Sequence, residues 1–297
     1  VLDKYLTLKE KTWSDVVDRV CQIVPFTEQL EIQDALDGML FLPSTPILRC
    51  ANLASLNMMS CHNIQVGNSI DAIWKAAREA ALIFKSGGGG VGIDFSLISA
   101  HGTPLKYLWQ RSDGPPIATG PTSFMPLFES TSQILGGAMG GKAPGVMATL
   151  NAKHADALKF IELKKAGTWN RFNLTVTTDD WSQINENVRD AIAIHAWFHA
   201  EPGVAFLDNI AKGNPLHHSH GAMELLNVCA EVPGYPYDSC CLGSINLPQV
   251  IRKLGNYKEL ERVARLLVRL LDRVIERNTY PFRALQEQAR KLRRIGC

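Results

Sequence analysis

No apolar run in this sequence approaches the roughly 18 residues that a membrane-crossing helix needs, so no membrane partner is expected. No charge of one sign dominates. Lys+Arg number 31 against 29 Asp+Glu, a net charge of +2, which excludes a broadly basic nucleic-acid or membrane surface. The densest basic run, Arg290-Lys291-Leu292-Arg293-Arg294, reads as a solvated helix end. No Cys-x-x-Cys pair occurs, which removes the zinc-knuckle pattern. The seven cysteines are odd in number and widely scattered, which is not the layout of a secreted disulfide framework. Reduced thiols and a cytoplasmic location are therefore expected, and any disulfide is expected to be catalytic. There is no internal repeat, no low-complexity tract and no linker. No signal-peptide pattern follows Val1, which is itself not an initiator Met. What remains, at 46% hydrophobic and 20% charged, is an ordinary globular balance with enough chain for a large core.

Hydrophobic spacing predicts helix across residues 11–40, with Trp13, Val16, Val17, Val20 and Ile23 on one face. Phe41-Leu42-Pro43-Ser44-Thr45-Pro46 interrupts it. A strong amphipathic helix is predicted over 69–85, capped by Ser69, with Ile70, Ile73, Trp74, Ala77, Ala81 and Phe84 at helical spacing. Val91, Ile93, Phe95 and Leu97 alternate as in a strand. Further helices are expected at 154–163 and 257–278, and strands at 173–177 and 204–207. His217, His218 and His220 read as a polar loop, because a metal site would need further ligands at suitable spacing. No metal is expected.

Two glycine clusters stand out. Ser86-Gly87-Gly88-Gly89-Gly90 follows a helix and precedes a strand, the reverse of a phosphate-cradling loop, so it reads as a tight connection that another backbone or a ligand approaches closely. Gly136 to Gly145 is longer and irregular, and suits either a shape-changing loop or a plain surface connection.

The most informative stretch is Asn227-Val228-Cys229-Ala230-Glu231. An amide, a thiol and a carboxylate occupy alternate positions, and in an extended segment all three would face one cavity. Alone the pattern is weak. It gains weight from Tyr237-Asp238-Ser239-Cys240-Cys241-Leu242-Gly243-Ser244-Ile245-Asn246-Leu247 and from the distant thiol Cys61.

With these stretches in order, the chain resembles the catalytic subunit of a ribonucleotide reductase. Phe41 to Pro46 is similar to the family's substrate-loop segment, Ser60-Cys61 to its first redox-cysteine strand, and Lys85 to Gly92 to its S-G-G-G-x-G signature. Gly120 to Met125, Gly140 to Leu150, Glu201-Pro202-Gly203, the N-x-C-x-E centre, the Cys240 stretch and Asn278-x-Tyr-Pro281 follow in sequence. The fold implied is a ten-stranded α/β barrel of the ribonucleotide reductase/glycyl-radical type. This chain is expected to hold the first half-barrel, the finger loop and the start of the second half. Residues 1–40 would form an N-terminal helical segment and 41–297 an incomplete catalytic barrel domain. A glycyl-radical enzyme is more distant, since that family's glycine loop lies near the C-terminus and has no counterpart here.

Carried over by motif, the resemblance implies that Cys229 is the thiyl-radical residue, Glu231 the base for the 3′-hydroxyl, and Asn227 a hydrogen-bonding partner of the 2′/3′ hydroxyls. Cys61 and Cys240 would be the dithiol that reduces the 2′ carbon. Ser44, Thr45, Ser60, Gly89 and Gly90 would bind substrate, a ribonucleoside di- or triphosphate. Cys241 departs from the family's usual Asn and raises the question of which neighbour pairs with Cys61.

Cys229 and Cys240 are 11 positions apart, an interval like that of the adenosylcobalamin-dependent class. Adenosylcobalamin is therefore the expected cofactor. The alternatives are a class with a separate radical-generating subunit and a non-catalytic effector-binding fragment. A deoxynucleoside triphosphate or ATP effector is expected at Asn68, Ser69, Ile70 and Arg78, on a helix that would form a homodimer interface. Asn68 replaces the family's acidic residue there, and the Gly136–Gly145 segment lacks the family's Arg-rich stretch. Other implied partners are a thioredoxin- or glutaredoxin-type reductant and a second polypeptide completing the barrel, because Arg293-Arg294-Ile295-Gly296 resembles a motif that runs on into another strand.

Overall fold

The structure is a computed structural model that describes residues 2–54, 56–106, 116–138, 144–166, 172–254 and 257–297. Residues 139–143 of the second glycine cluster, including Lys142, lie outside the described residues. The described strands, in chain order, are β1 (Phe41–Pro43), β2 (Cys61–Gln65), β3 (Gly90–Asp94), β4 (Val146–Asn151), β5 (Phe172–Thr178), β6 (Gly203–Phe206), β7 (Leu225–Leu226), β8 (Pro233–Gly234), β9 (Ser239–Ile245) and β10 (Ile295–Gly296). The chain divides into two compact units.

The first unit takes Val1–His62, Lys85–Gly89 and Tyr237–Cys297. The helical stretch predicted over 11–40 is two helices, Trp13–Cys21 and Phe26–Asp37. They part at Pro25, which has no N–H to continue the first helix and leads into the second. Thr12 and Asp15 close the first helix with a reciprocal capping box. Arg19 is buried and is held by Glu10 and by the carbonyls of Tyr5, Leu48 and Ala51, so its charge is paired and hydrogen-bonded. The long helix Tyr257–Arg277 turns Val263, Leu267, Leu270 and Val274 into this unit's core, as the spacing predicts. β9 is the spine of the unit. β1 and the Cys61–His62 end of β2 pair with it antiparallel, and β10 pairs with it in parallel.

The second unit takes Asn63–Phe84 and Gly90–Pro236. β3, β4, β5 and β6 pair side by side, all parallel. Each passage between them carries a helix: Met125–Ala138, Ala157–Ile161 and Glu186–His199. This is the repeated strand–helix unit of an α/β barrel. β4 and β5 are buried along nearly their whole length. β4 accordingly lacks a clear alternation, whereas β5 alternates Phe172, Leu174 and Val176 with Asn173 and with threonines that are themselves buried. Phe95 packs edge-on against Phe128 and Phe172 in the core. Glu201 anchors the start of β6. Its carboxylate accepts the Leu174 backbone N–H at 2.9 Å and pairs with Lys164 at 3.3 Å. That gives the Glu201-Pro202-Gly203 motif a structural job.

The amphipathic helix runs Ile70–Lys85, and Ser69 Oγ caps it by accepting the Ala72 N–H. Its buried face is Ile73, Ala76, Ala77, Ala80, Ile83 and Phe84, whereas Ile70 and Trp74 are exposed. The histidines 217, 218 and 220 sit on a short helix, His217–His220, where a loop was expected.

Candidate active site

In the first unit, the register of β2 on β9 sets Cys61 directly opposite Cys240. Residues so opposed in an antiparallel pair have Cα atoms about 4.5–5.5 Å apart, within the span a disulfide bridges. The two thiol groups hydrogen-bond to each other. That bond, burial and the neighbouring Asp238 carboxylate together push the Cys240 thiol far above the ordinary range. Cys241 points to the other side of the strand. It is fully buried in the apolar core, its Sγ donates to the Leu271 carbonyl at 3.4 Å, and burial pushes its thiol up to about 12. The geometry therefore pairs Cys61 with Cys240 and turns Cys241 away.

Ser44 and Ser60 meet beside this pair, with Ser60 Oγ 2.7 Å from Ser44 Oγ. Ser60 N–H donates to the Cys240 carbonyl and Ser44 N–H to the Leu242 carbonyl, so both serines are tied to β9. Thr45 starts the short helix Thr45–Cys50 and is exposed. Gly89 donates its N–H to the Met59 carbonyl at 3.1 Å. A Cβ at Gly89 would fall 1.5 Å from the Ser60 carbonyl oxygen, so this position admits no side chain. At Gly89 the close approach expected of this glycine run is thus an approach of backbone, whereas at Gly88 the neighbours are the Asn57 and His62 side chains.

At the Cys61–His62 end of β2 lies a buried polar network that the sequence did not reveal. His62, opposite Ser239, has Nε2 3.1 Å from Asn57 Nδ2. Asn57 Oδ1 accepts from the Met59 N–H and from Asn278 Nδ2, both at 3.0 Å. Asn278 Oδ1 accepts the Met58 N–H at 2.6 Å. Burial pushes His62 down to about 3, so it is neutral at physiological pH. Asn278 belongs to a stretch the sequence analysis singled out, and its contacts explain it: it clamps the approach to Cys61 from 220 residues away. Asp238, equally missed, is buried and ion-paired to Arg294 at 2.6 Å.

In the second unit, Asn227 to Glu231 is not extended. It is the turn of the β7–β8 hairpin, with Ala230 at φ +64° and its N–H donating to the Asn227 carbonyl at 3.0 Å. The expectation of three side chains aligned by strand alternation is corrected here. A turn, not a pleat, directs them. Asn227 is buried and its Oδ1 accepts the Val232 N–H at 3.0 Å, closing the turn. Cys229 is exposed. Glu231 lines a cavity of about 350 Å³ together with Ala230, Leu226, Thr175, Gly203 and Phe206. Gly90, expected to bind substrate, packs against Val228 of this turn.

A larger cavity in the same unit, about 610 Å³, is lined by Asn68, Ser69 and Ile70, with Lys106, Gly120 and Phe124 facing them. Asn68 spends both ends of its amide on Ser99, whose N–H and Oγ lie 2.9 and 2.7 Å away. Arg78 is exposed further along the helix and is not among the described residues that line this cavity. Lys106 is the cation that lines it among the described residues, and sequence reasoning gave no signal for it.

Residues 59–182 and 182–297 match the family described as ribonucleotide reductase, barrel domain. The "Vitamin B12-dependent ribonucleoside-diphosphate reductase" of Thermoplasma acidophilum is 33% identical over 90% of this chain and 37% of its own length. The protein of the same name from Mycobacterium tuberculosis (strain CDC 1551 / Oshkosh) is 33% identical over 88% of this chain and 40% of its own. The "Ribonucleoside-diphosphate reductase large subunit" of Trypanosoma brucei brucei is 25% identical over 84% of this chain and 36% of its own. The chain thus spans about two fifths of the length of the curated relatives it matches.

Proposed function

The chain belongs to the ribonucleotide reductase family through its barrel domain, and from that premise we propose that it carries the thiol chemistry of ribonucleotide reduction. The observation that carries this reading is the cross-strand register of Cys61 and Cys240. Exchanging a C2′–OH for C2′–H consumes two electrons and releases water. Two thiols supply the electrons by becoming one disulfide. Cys229, exposed at the tip of its turn, is the residue that takes the 3′-hydrogen as a thiyl radical and returns it at the end. Glu231 accepts the 3′-hydroxyl proton, a role that its place on a cavity wall allows. Asn227 holds the turn through its Oδ1 and would meet the sugar hydroxyls through its amide nitrogen. Ser44, Thr45, Ser60 and Gly89 would form the substrate cradle around the dithiol, with Gly90 beneath the Cys229 turn.

The substrate class we propose is a ribonucleoside diphosphate, in line with the relatives' names. The cofactor we propose is adenosylcobalamin, which when bound supplies the one-electron oxidation that makes the Cys229 radical. The chain's own fit to it is an exposed Cys229, open to an external radical source. The similarity to a large subunit keeps a separate radical-generating subunit as the second reading. A thioredoxin- or glutaredoxin-type protein would re-reduce the disulfide. A deoxynucleoside triphosphate or ATP would occupy the 610 Å³ cavity at Asn68, Ser69 and Ile70, with Arg78 further along the same helix. A second copy would cover the exposed Ile70 and Trp74. The test is adenosylcobalamin-dependent reduction of a ribonucleoside diphosphate by protein containing this chain, beside its Cys229→Ser variant. Activity that requires both the cofactor and Cys229 supports the proposal. Normal turnover in Cys229→Ser refutes it, and turnover only with an added protein subunit moves the chain to the second reading.

A further inference from the structure

The Cys229 turn is closed by its own bonds, Ala230 N–H to the Asn227 carbonyl and Val232 N–H to Asn227 Oδ1. Those bonds shape the turn but do not aim it. β7 and β8 are two residues each, and so short a hairpin has little stability of its own. Its direction is set by what it rests on. A Cβ at Gly92 would fall 1.5 Å from the Leu226 carbonyl oxygen, so β3 carries the entry of the turn backbone-on-backbone. A Cβ at Gly90 would stand 2.6 Å from Val228 Cγ2, and one at Gly145 would stand 3.0 Å from it. The Val228 side chain therefore sits in a seat that exists because two glycines lack side chains.

One polar contact completes the seat. Asn173, the second residue of β5, donates its Nδ2–H to the Val228 carbonyl at 2.9 Å. Asn is a poor strand former, and at an exposed strand position a β-branched residue would serve the sheet better. The Val228 carbonyl and the Cys229 N–H belong to one planar peptide unit. A bond that fixes the carbonyl fixes the plane from which the Cys229 Cα and its thiol project. We infer that Asn173 is a positioning residue for Cys229, holding the Val228–Cys229 peptide so that the thiol keeps one direction on the β3–β5 sheet. The inference rests on the radical role proposed for Cys229.

The test uses protein containing this chain, with Asn173→Ala, Asn173→Asp and Asn173→Gln. Asp keeps the shape and sets an acceptor against the carbonyl, while Gln keeps a donor on a longer arm. Amide hydrogen exchange at Cys229 and Ala230, and the rate of Cys229 carboxamidomethylation by iodoacetamide, read the turn without any turnover. Loss of one hydrogen bond should speed exchange at these amides about five- to tenfold in the Ala and Asp variants, leave β3 and β4 unchanged, and be partly reversed by Gln. With substrate, kcat should fall at least about tenfold while KM holds, since small misplacements of a reacting group are costly. Unchanged exchange and alkylation at Cys229 in both variants would overturn the assignment. So would a uniform rise across β3–β6, which would make Asn173 merely structural. If Cys229→Ser protein still reduced nucleotides, the radical reading would fall while the exchange result on the turn stood by itself.

Discussion

Cys61 and Cys240 are Cα partners across an antiparallel strand pair, and their side chains hydrogen-bond to each other. The residues 179 positions apart in sequence are thus placed for a disulfide without any rearrangement of backbone. Cys241, one position on, is sealed in the core.

Mild oxidation of the chain should therefore give one disulfide, Cys61–Cys240, in a peptide map. Cys240→Ser should abolish it. Cys241→Ser should leave it in place and cost only the modest packing change of a small core residue, about 1 kcal/mol in denaturant unfolding. A Cys61–Cys241 bridge in the wild-type protein would contradict the register.

The Cys240 thiol is held protonated chiefly by its hydrogen bond with Cys61, then by burial, with Asp238 adding in the same direction. Thiolate is the reactive form, so alkylation of reduced Cys240 should stay slow at neutral pH and rise only in alkali. Cys61→Ala and Asp238→Asn should each move that rise to lower pH. Removing Arg294, the cation paired with Asp238, should move it higher. The pH–rate profile of Cys240 labelling in the three variants checks all three directions.

His62 predicts an acid-sensitive fold. Burial lowers it from 6.5 to about 3, so the folded state keeps it neutral while the unfolded chain takes a proton below about 6.5. The unfolded state binds more protons in that window, so the contribution is fully present above pH 6.5 and is lost as pH falls toward 3. Between pH 7 and pH 5 wild type should lose about 2 kcal/mol more than His62→Gln in urea unfolding. Parallel pH curves for the two proteins would show that His62 titrates normally.

Much of this was legible from the residues. The Ile70–Lys85 and Tyr257–Arg277 helices declared themselves through long, regular apolar spacing and a Ser69 cap. Of the parallel strands, β3, β5 and β6 were read from Val91 onward, 173–177 and 204–207, and only β4 was not, because burial on both faces erases its alternation. The turn at Cys229 was misread as extended because N-x-C-x-E looks like period two. Ala230 in a left-handed conformation is a choice no side-chain pattern announces. Asn278 was quoted within a motif, but its bonds to Met58 and Asn57 cross more than 200 residues, and the local Asn57–His62 contact carries no sequence pattern, so the network itself stayed hidden. Cys61 and Cys240 were named from motifs, but that they share a register is a fact of the sheet.

The cavity at Ser69, Ile70 and Lys106 should bind a deoxynucleoside triphosphate. Lys106→Ala should weaken equilibrium binding by about five- to tenfold, the scale of one charge-assisted contact. Arg78→Ala, outside the lining, should change it less. Equal losses would return Arg78 to the site, and no binding at millimolar concentration would remove the effector role.

A single-turnover reaction tests the central claim most directly. Reduced protein containing this chain is mixed anaerobically with adenosylcobalamin and a ribonucleoside diphosphate, with no external reductant, then quenched, alkylated and mapped. One deoxynucleotide per active chain should appear together with one Cys61–Cys240 disulfide, and neither should appear in Cys229→Ser. Deoxynucleotide formed while Cys61 and Cys240 both remain thiols would contradict the account.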